Sequence, residues 1–138
     1  MGPHIPFITF RVGDTWYGSR LETVKEIIPI QEITPLPSDL AYVAGLTTLR
    51  GAVICVIDLK QLLTGQPTQA GKVSHMVIRH SGTEPVAILA EEVDNVISIP
   101  GASLEPPIET LTEIQKRYID HTVRQGDRVI ATLGEKIP

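Results

Sequence analysis

The stretch Gly45-Leu46-Thr47-Thr48-Leu49-Arg50-Gly51-Ala52-Val53-Ile54-Cys55-Val56-Ile57-Asp58-Leu59 constrains the fold more than any other part of the chain. An apolar segment, a tight Arg-Gly corner and a Val/Ile-rich segment ending in Asp-Leu follow without a break. β-Branched side chains pack well on a pleated surface, so both apolar segments read as strands. Burying the two strands leaves Arg50 as the one charged group held between them. A loop side chain fixed by a rigid scaffold is a common way to build a binding surface. The plain alternative is a solvated turn residue.

The rest of the chain repeats this texture. The 138 residues are 42% apolar, with eleven prolines and eleven glycines as frequent punctuation. Many short strands separated by turn residues predict a mostly β chain. Ile8, Phe10 and Val12 alternate with polar neighbours, Gly13-Asp14 turns the chain, and Thr15 to Gly18 returns. Val24–Ile28 follows a short helical turn near Ser19, and Pro29, Pro35 and Pro37 then forbid a long helix. Asp39–Ala44 reads as one or two helical turns capped by Ser38, and Leu59–Leu63 as a short helix capped by Asp58.

The polar run Thr64–Lys72 is the best linker and gives an approximate subdomain break at 64–72. Beyond it, Val73–His80 and Pro85–Ala90 flank a hairpin loop at Ser81–Glu84. Val93–Ile99 is another strand, Leu111–Lys116 a brief helix with capping-box spacing at Thr110–Glu113, and Tyr118–Val123 pairs with Arg128–Leu133. Nine or ten strands with helices too short for crossovers predict mostly antiparallel pairing. Small barrels that close their own edges suit such strands. No sequence repeat relates the two halves.

Size and charge exclude several classes. A chain this long buries roughly 70% of its unfolded surface and needs no metal or disulfide staple. Twelve basic residues against sixteen acidic ones give a net charge of −4, and no basic run exceeds Lys116-Arg117. With few aromatics to stack bases, nucleic-acid binding is not expected. Cys55 stands alone, the N-terminus lacks a signal-peptide pattern, and no apolar run approaches the ~20 residues of a bilayer span. A cytoplasmic protein without direct membrane insertion is expected.

The search for chemistry is largely negative. His4, His75, His80 and His121 lack zinc-site spacing, and no metal or cofactor is expected. Cys55, inside an apolar strand with no basic neighbour in sequence, reads as an inert small hydrophobe. Glu91, Glu92 and Asp94 offer the alternative of a small-ligand-binding or hydrolytic β-barrel protein. Working carboxylates must flank a cleft at a set separation, and three acids within four residues read more simply as a solvated bend. No phosphate loop or nucleophile elbow is present. The chain does not read as an enzyme. What remains is a surface: Arg50, whose planar fork suits carboxylates and aromatic faces, and Val24-Lys25-Glu26-Ile27, which if extended sets Val24 and Glu26 on one face.

These segments together resemble the CheW-type chemotaxis coupling proteins. The corner Leu49-Arg50-Gly51 with a following strand ending Asp58-Leu59 is similar to the family's Asn-Leu-Arg-Gly and Asp-Leu-Arg. Phe10–Gly13, Trp16–Gly18, Val24–Ile28, Ile33–Pro37, Val43–Leu46, Val86–Leu89, Val93–Val96, Leu104–Pro107 and Asp127–Ile130 follow the family's order, from about Phe7 to Leu133. The resemblance implies a single domain over 7–133, built as two SH3-like five-stranded β-barrel subdomains packed together, with short helices. It implies a non-enzymatic adaptor in bacterial chemotaxis-type signal transduction, coupling the cytoplasmic tip of a chemoreceptor to the regulatory domain of a CheA-type histidine kinase. Arg50, with Leu49 beside it, would stand at the partner-binding surface, Val24 and Glu26 would face partners, and Gly45 would let the chain turn into the central strand. Thr48, Cys55 and His121 stand where the family usually has Asn, Pro and Gly, and with the sequence stopping at Pro138 the usual C-terminal helix is expected to be short or absent.

Overall fold

The alternation in the sequence becomes ten strands in the computed structural model, which describes residues 2–81 and 84–135. In chain order they are β1 (His4–Val12), β2 (Thr15–Arg20), β3 (Val24–Pro29), β4 (Val43–Leu49), β5 (Ala52–Ile57), β6 (His75–Ser81), β7 (Glu84–Ala90), β8 (Glu92–Pro100), β9 (Ile119–Gln125) and β10 (Arg128–Leu133). Two one-to-two-turn helices, α1 (Leu59–Thr64) and α2 (Glu113–Tyr118), lie between them. Gly82 and Thr83, the centre of the expected hairpin loop, lie outside the described residues, although Ser81 pairs with Glu84 as such a hairpin requires.

The strands form two five-stranded sheets, in the orders β8-β1-β2-β10-β9 and β3-β6-β7-β5-β4. Pairing is antiparallel except for β2–β10 and β5–β7. The two orders are the same pattern used twice. In each, a hairpin (β1–β2 or β6–β7) meets a three-strand unit (β8–β10 or β3–β5) drawn from the other half of the chain. Crossing between sheets replaces the helical crossovers that parallel pairs otherwise need.

The barrels implied by the family resemblance are not closed. No ladder joins β8 to β9 or β3 to β4; the sheet edges are instead linked by isolated bridges, Glu105 with Thr122 and Thr34 with Leu46. Proline is the physical reason. Both edge strands end on one, Pro29 and Pro100, and Pro35, Pro37, Pro106 and Pro107 follow, each lacking the amide a ladder requires.

Both faces of the sheets are buried in their centres, which yields three cores. Phe10, Tyr17, Ile57, Val77, Ile88 and Leu133 belong to the shared core between the sheets. Alternate residues Ile54, Val56, Met76, Ile78 and Leu89 fill the other face of the second sheet, and Phe7, Ile99, Val123 and Ile130 that of the first. Asp58 caps α1 by accepting from Gln61 N at 3.2 Å, as its position before the helix predicts. It also accepts from Thr68 N at 2.9 Å and Thr68 Oγ1 at 2.6 Å, which ties the polar run 64–72 down onto the helix.

The expected turns over Asp39–Ala44 do not form a helix. Ser38 Oγ accepts from Leu40 N at 3.1 Å, a local turn bond, and Val43 already pairs with Ile57 in β4. The second short helix starts two residues later than expected, because the capping box is made by Thr112 and Gln115.

Candidate functional site

The Arg-Gly corner joins β4 to β5 with only two residues between the Leu49–Ala52 pair. Both have positive φ, +50° at Arg50 and +82° at Gly51, the two-residue turn whose twist matches the flanking strands. Arg50 is the one described non-glycine residue with positive φ. Such strain persists only where the surroundings fix the conformation.

The turn sets the backbone, and Glu26 holds the side chain. Arg50 Nη2 donates to Glu26 Oε1 at 3.0 Å and Nη1 donates to Oε2, a two-pronged ion pair. Glu26 lies on β3 and Arg50 at the end of β4, the two opposite edges of one sheet. The pair therefore clasps the sheet across the gap where a closed barrel would have a ladder. The Arg50 side chain stays 71% exposed while that of Glu26 is 21% exposed, so the clasp holds a cation in position and leaves much of its surface open. The hydrogen bond from Arg50 draws the Glu26 carboxyl below its usual range, and Glu26 in turn raises Arg50.

A depressed carboxylate contributes above its unfolded pKa, about 4.3, and loses that contribution as pH falls through the lower folded value. In a carbon-detected NMR titration the Glu26 carboxyl is expected to have a midpoint below about 4.3. Arg50→Gln should return it to the ordinary range. An ordinary midpoint in the wild type would mean the clasp does not persist in solution.

The other sequence-selected residues surround this clasp in different roles. Leu49 is half-buried against the core inside its own sheet. Val24 packs with Ile27 on the shared core. A bulge between Val24 and Glu26 breaks the alternation, so these two side chains do not share a face. Gly45 is buried with φ +148°, and a Cβ there would sit 2.3 Å from the carbonyl oxygen of Thr34. That closeness lets Thr34 and Leu46 exchange backbone hydrogen bonds of 2.7 and 2.9 Å, the bridge beside the clasp.

Two surface features escaped the sequence reading. Beside the corner, a groove is lined by Glu32, Thr34, Leu46, Thr47, Thr48 and Val53, with Val53 64% exposed. At the sheet junction, a more apolar groove is lined by Tyr17, Leu63, Ile108, Leu111, Val129 and Ala131. Gln115 Nε2 donates to the Leu63 carbonyl at 2.9 Å and so joins α2 to α1 at its rim. The large exposed side chains Ile108 and Val129 were the available signal, legible only once their strand and loop were placed.

The carboxylates of the alternative reading are tied up in ion pairs and hydrogen bonds. Glu91 accepts from the Gly13 amide and lies 3.6 Å from Arg11 Nη1, Glu92 meets Arg11 Nε at 3.3 Å, and Asp94 meets Arg128 Nη1 at 2.8 Å. Arg128 in turn lies 3.6 Å over the Trp16 ring. Each acid is committed to a structural cation and none faces another across a cleft. Burial pushes the Cys55 thiol up, away from the reactive thiolate. Among the described residues, no group of His, Cys, Asp and Glu gathers as a metal site, and no helix is long and apolar enough to cross a membrane.

Comparison with known proteins identifies the family. The CheW-like domain matches residues 6–133. The chain belongs to the CheW-like domain family. As a member it is a non-enzymatic adaptor of chemotaxis-type signal transduction. It is 29% identical over 130 residues to a chemotaxis protein CheW of Treponema pallidum, covering 91% of this chain and 76% of that protein. It is 31% identical over 105 residues to protein FrzA of Myxococcus xanthus, covering 76% of this chain and 66% of that one. The crystal structure of the scaffolding protein TtCheW from Thermoanaerobacter tengcongensis has the same fold, with a TM-score of 0.85, 24% identity, and coverage of 99% of this chain and 87% of that one.

Proposed function

We propose that this CheW-like chain couples the cytoplasmic tip of a chemoreceptor to the regulatory domain of a CheA-type histidine kinase, and that the Arg50 corner is a partner-binding surface. The observation that carries the reading is the clasp: a mostly exposed guanidinium held by Glu26 in a strained corner. Pre-fixing a rotamer-rich side chain removes part of the ordering cost of association. Only part of the fork is used internally, so Nε and the outer edges of the nitrogens remain for a carboxylate, a carbonyl or an aromatic face. Val53, Thr48 and the groove beside the corner extend the surface. Leu49 and Val24 support it from their half-buried places on the two cores, and Gly45 shapes the bridge behind it. The junction groove, apolar and rimmed by Gln115, suits the side chains of a receptor helix.

The test is calorimetric titration of the intact protein with the regulatory domain of a CheA-type kinase from the same organism. Saturable binding at micromolar or tighter affinity is expected. No heat and no complex on size exclusion, from protein shown to be folded, would sink the kinase half of the proposal.

A further inference from the structure

The shared core contains a charged side chain that the adaptor surface does not use. Arg79 on β6 is fully buried, on the same face of its strand as Val77. The repeated topology shows how unusual its place is. Val12 and Thr15 close the β1–β2 hairpin as Ser81 and Glu84 close β6–β7, so Arg79 occupies the position that Phe10 fills in the other sheet. Removing a guanidinium from water is costly, and a hydrophobic residue of similar volume is often as stable or more so. An arginine in a phenylalanine's place therefore calls for a role other than filling space.

Its partners define that role. Nη1 donates to Ser19 Oγ at 3.0 Å, and Nη2 donates to the carbonyl oxygens of Gly134 and, at 3.3 Å, Glu135. The chain of donors continues from Ser19 to Thr23 Oγ1 at 2.8 Å and from Thr23 to the Arg20 carbonyl at 2.6 Å. Residues 19–23 are where the chain leaves the first sheet for the second, through a 3-10 turn at Leu21–Thr23. Gly134 and Glu135 are the exit from β10, in the first sheet. One side chain of the second sheet thus holds two passages of the first. Its Nε finds no acceptor among the described residues, so the site is built around the two terminal nitrogens.

We propose that Arg79 is an inter-sheet lock, a positioning residue that fixes the β2-to-β3 crossover and the exit of β10 and so sets the angle between the two sheets. The consequence for an adaptor is that its two faces keep one relative orientation. Burial lowers the guanidinium to about 10, which leaves it charged at neutral pH, and the nearby Asp120 and Glu135 favour that charge.

The test pairs Arg79→Met, which keeps a long unbranched side chain and removes every donor, with Arg79→Lys. Hydrogen exchange on the full chain reads each segment, and spin labels at Val53→Cys and Val96→Cys, with Cys55→Ser, read the distance between sheets. Arg79→Met is expected to accelerate exchange at Ser19–Thr23 and Gly134 by roughly tenfold or more. The β4–β5 amides should stay near wild-type rates, and the inter-sheet distance distribution should broaden. Arg79→Lys, with a single ammonium nitrogen in place of a planar fork, should show the same pattern more weakly. Unchanged exchange and an unchanged distribution, or acceleration spread evenly over both sheets, would overturn the lock. If Arg79→Met does not fold, Arg79→Lys decides alone: wild-type exchange at both passages overturns the proposal, and acceleration confined to them supports it.

Discussion

Gly45→Ala is expected to lower the unfolding free energy by about 3 kcal/mol or more, the largest loss from removing no atom at all. Two effects add at this position. The backbone has φ +148°, which a side chain disfavours, and the new Cβ would sit 2.3 Å from Thr34 O and 2.9 Å from Ile33 Cγ2. Thr34 cannot retreat without weakening its bridge to Leu46, because the crowded carbonyl oxygen is the one that accepts from Leu46 N. Gly51→Ala is the internal control. Its φ is +82° but nothing lies within 4 Å of an added Cβ, so only backbone strain of about 1 kcal/mol applies. Urea denaturation reads both, as a shift of the midpoint at unchanged slope. Equal shifts at Gly45 and Gly51 would mean that the bridge yields easily and that crowding by Thr34 has no consequence.

Arg50→Glu is expected to weaken kinase-domain binding roughly thirtyfold or more, as loss of an interface hot spot does, while the protein stays folded. The substitution removes the fork and sets a second carboxylate against Glu26, so the corner loses both its charge and its clasp. Two companions separate these losses. Arg50→Gly loses the clasp as well but relieves the strain of the positive φ, so stability should stay near wild type while binding falls. The exchange Glu26→Arg with Arg50→Glu rebuilds an internal pair with its charges reversed. Binding restored by that exchange would make the clasp the important feature, and binding still lost would make the exposed guanidinium itself the contact. Full affinity in Arg50→Glu, with native circular dichroism, would remove the corner from the site.

The strands were legible because their alternation and turn residues are local. Phe10 and Val12 announced themselves by alternation, and Ile54, Val56, Ile88 and Ala90 by lying in apolar runs bounded by turn residues. Asp39–Ala44 misled because Ser38 serves equally well in a turn or as a helix cap, and only the pairing of Val43 with Ile57 decides between them. Barrel closure was not legible because it depends on whether two edges distant in sequence form a ladder. The prolines that prevent the ladder were visible, but the edges they spoil were not. Arg50 and Glu26 were each singled out, yet their contact joins opposite sheet edges and no spacing rule connects them. Arg79 went unremarked inside an apparently ordinary strand, since its burial depends on which face meets the other sheet.

The exchange of three-strand units between the sheets has a consequence for how the chain folds as it leaves the ribosome. The β1–β2 hairpin ends at Arg20, but its neighbours in the sheet begin only at Glu92 and end at Leu133. The early hairpin must therefore wait, both edges unsatisfied, until β8 and β10 have been made. Meanwhile β3, β4 and β5 have already emerged, and their topological pattern is the one that β8, β9 and β10 later supply to β1–β2. A nascent chain paused near the middle holds every strand type of one sheet and could assemble the wrong pairing among them. Folding dominated by distant partners is slow and leaves such intermediates exposed, so for this adaptor the order of synthesis is itself a hazard, relieved only when the last strand arrives.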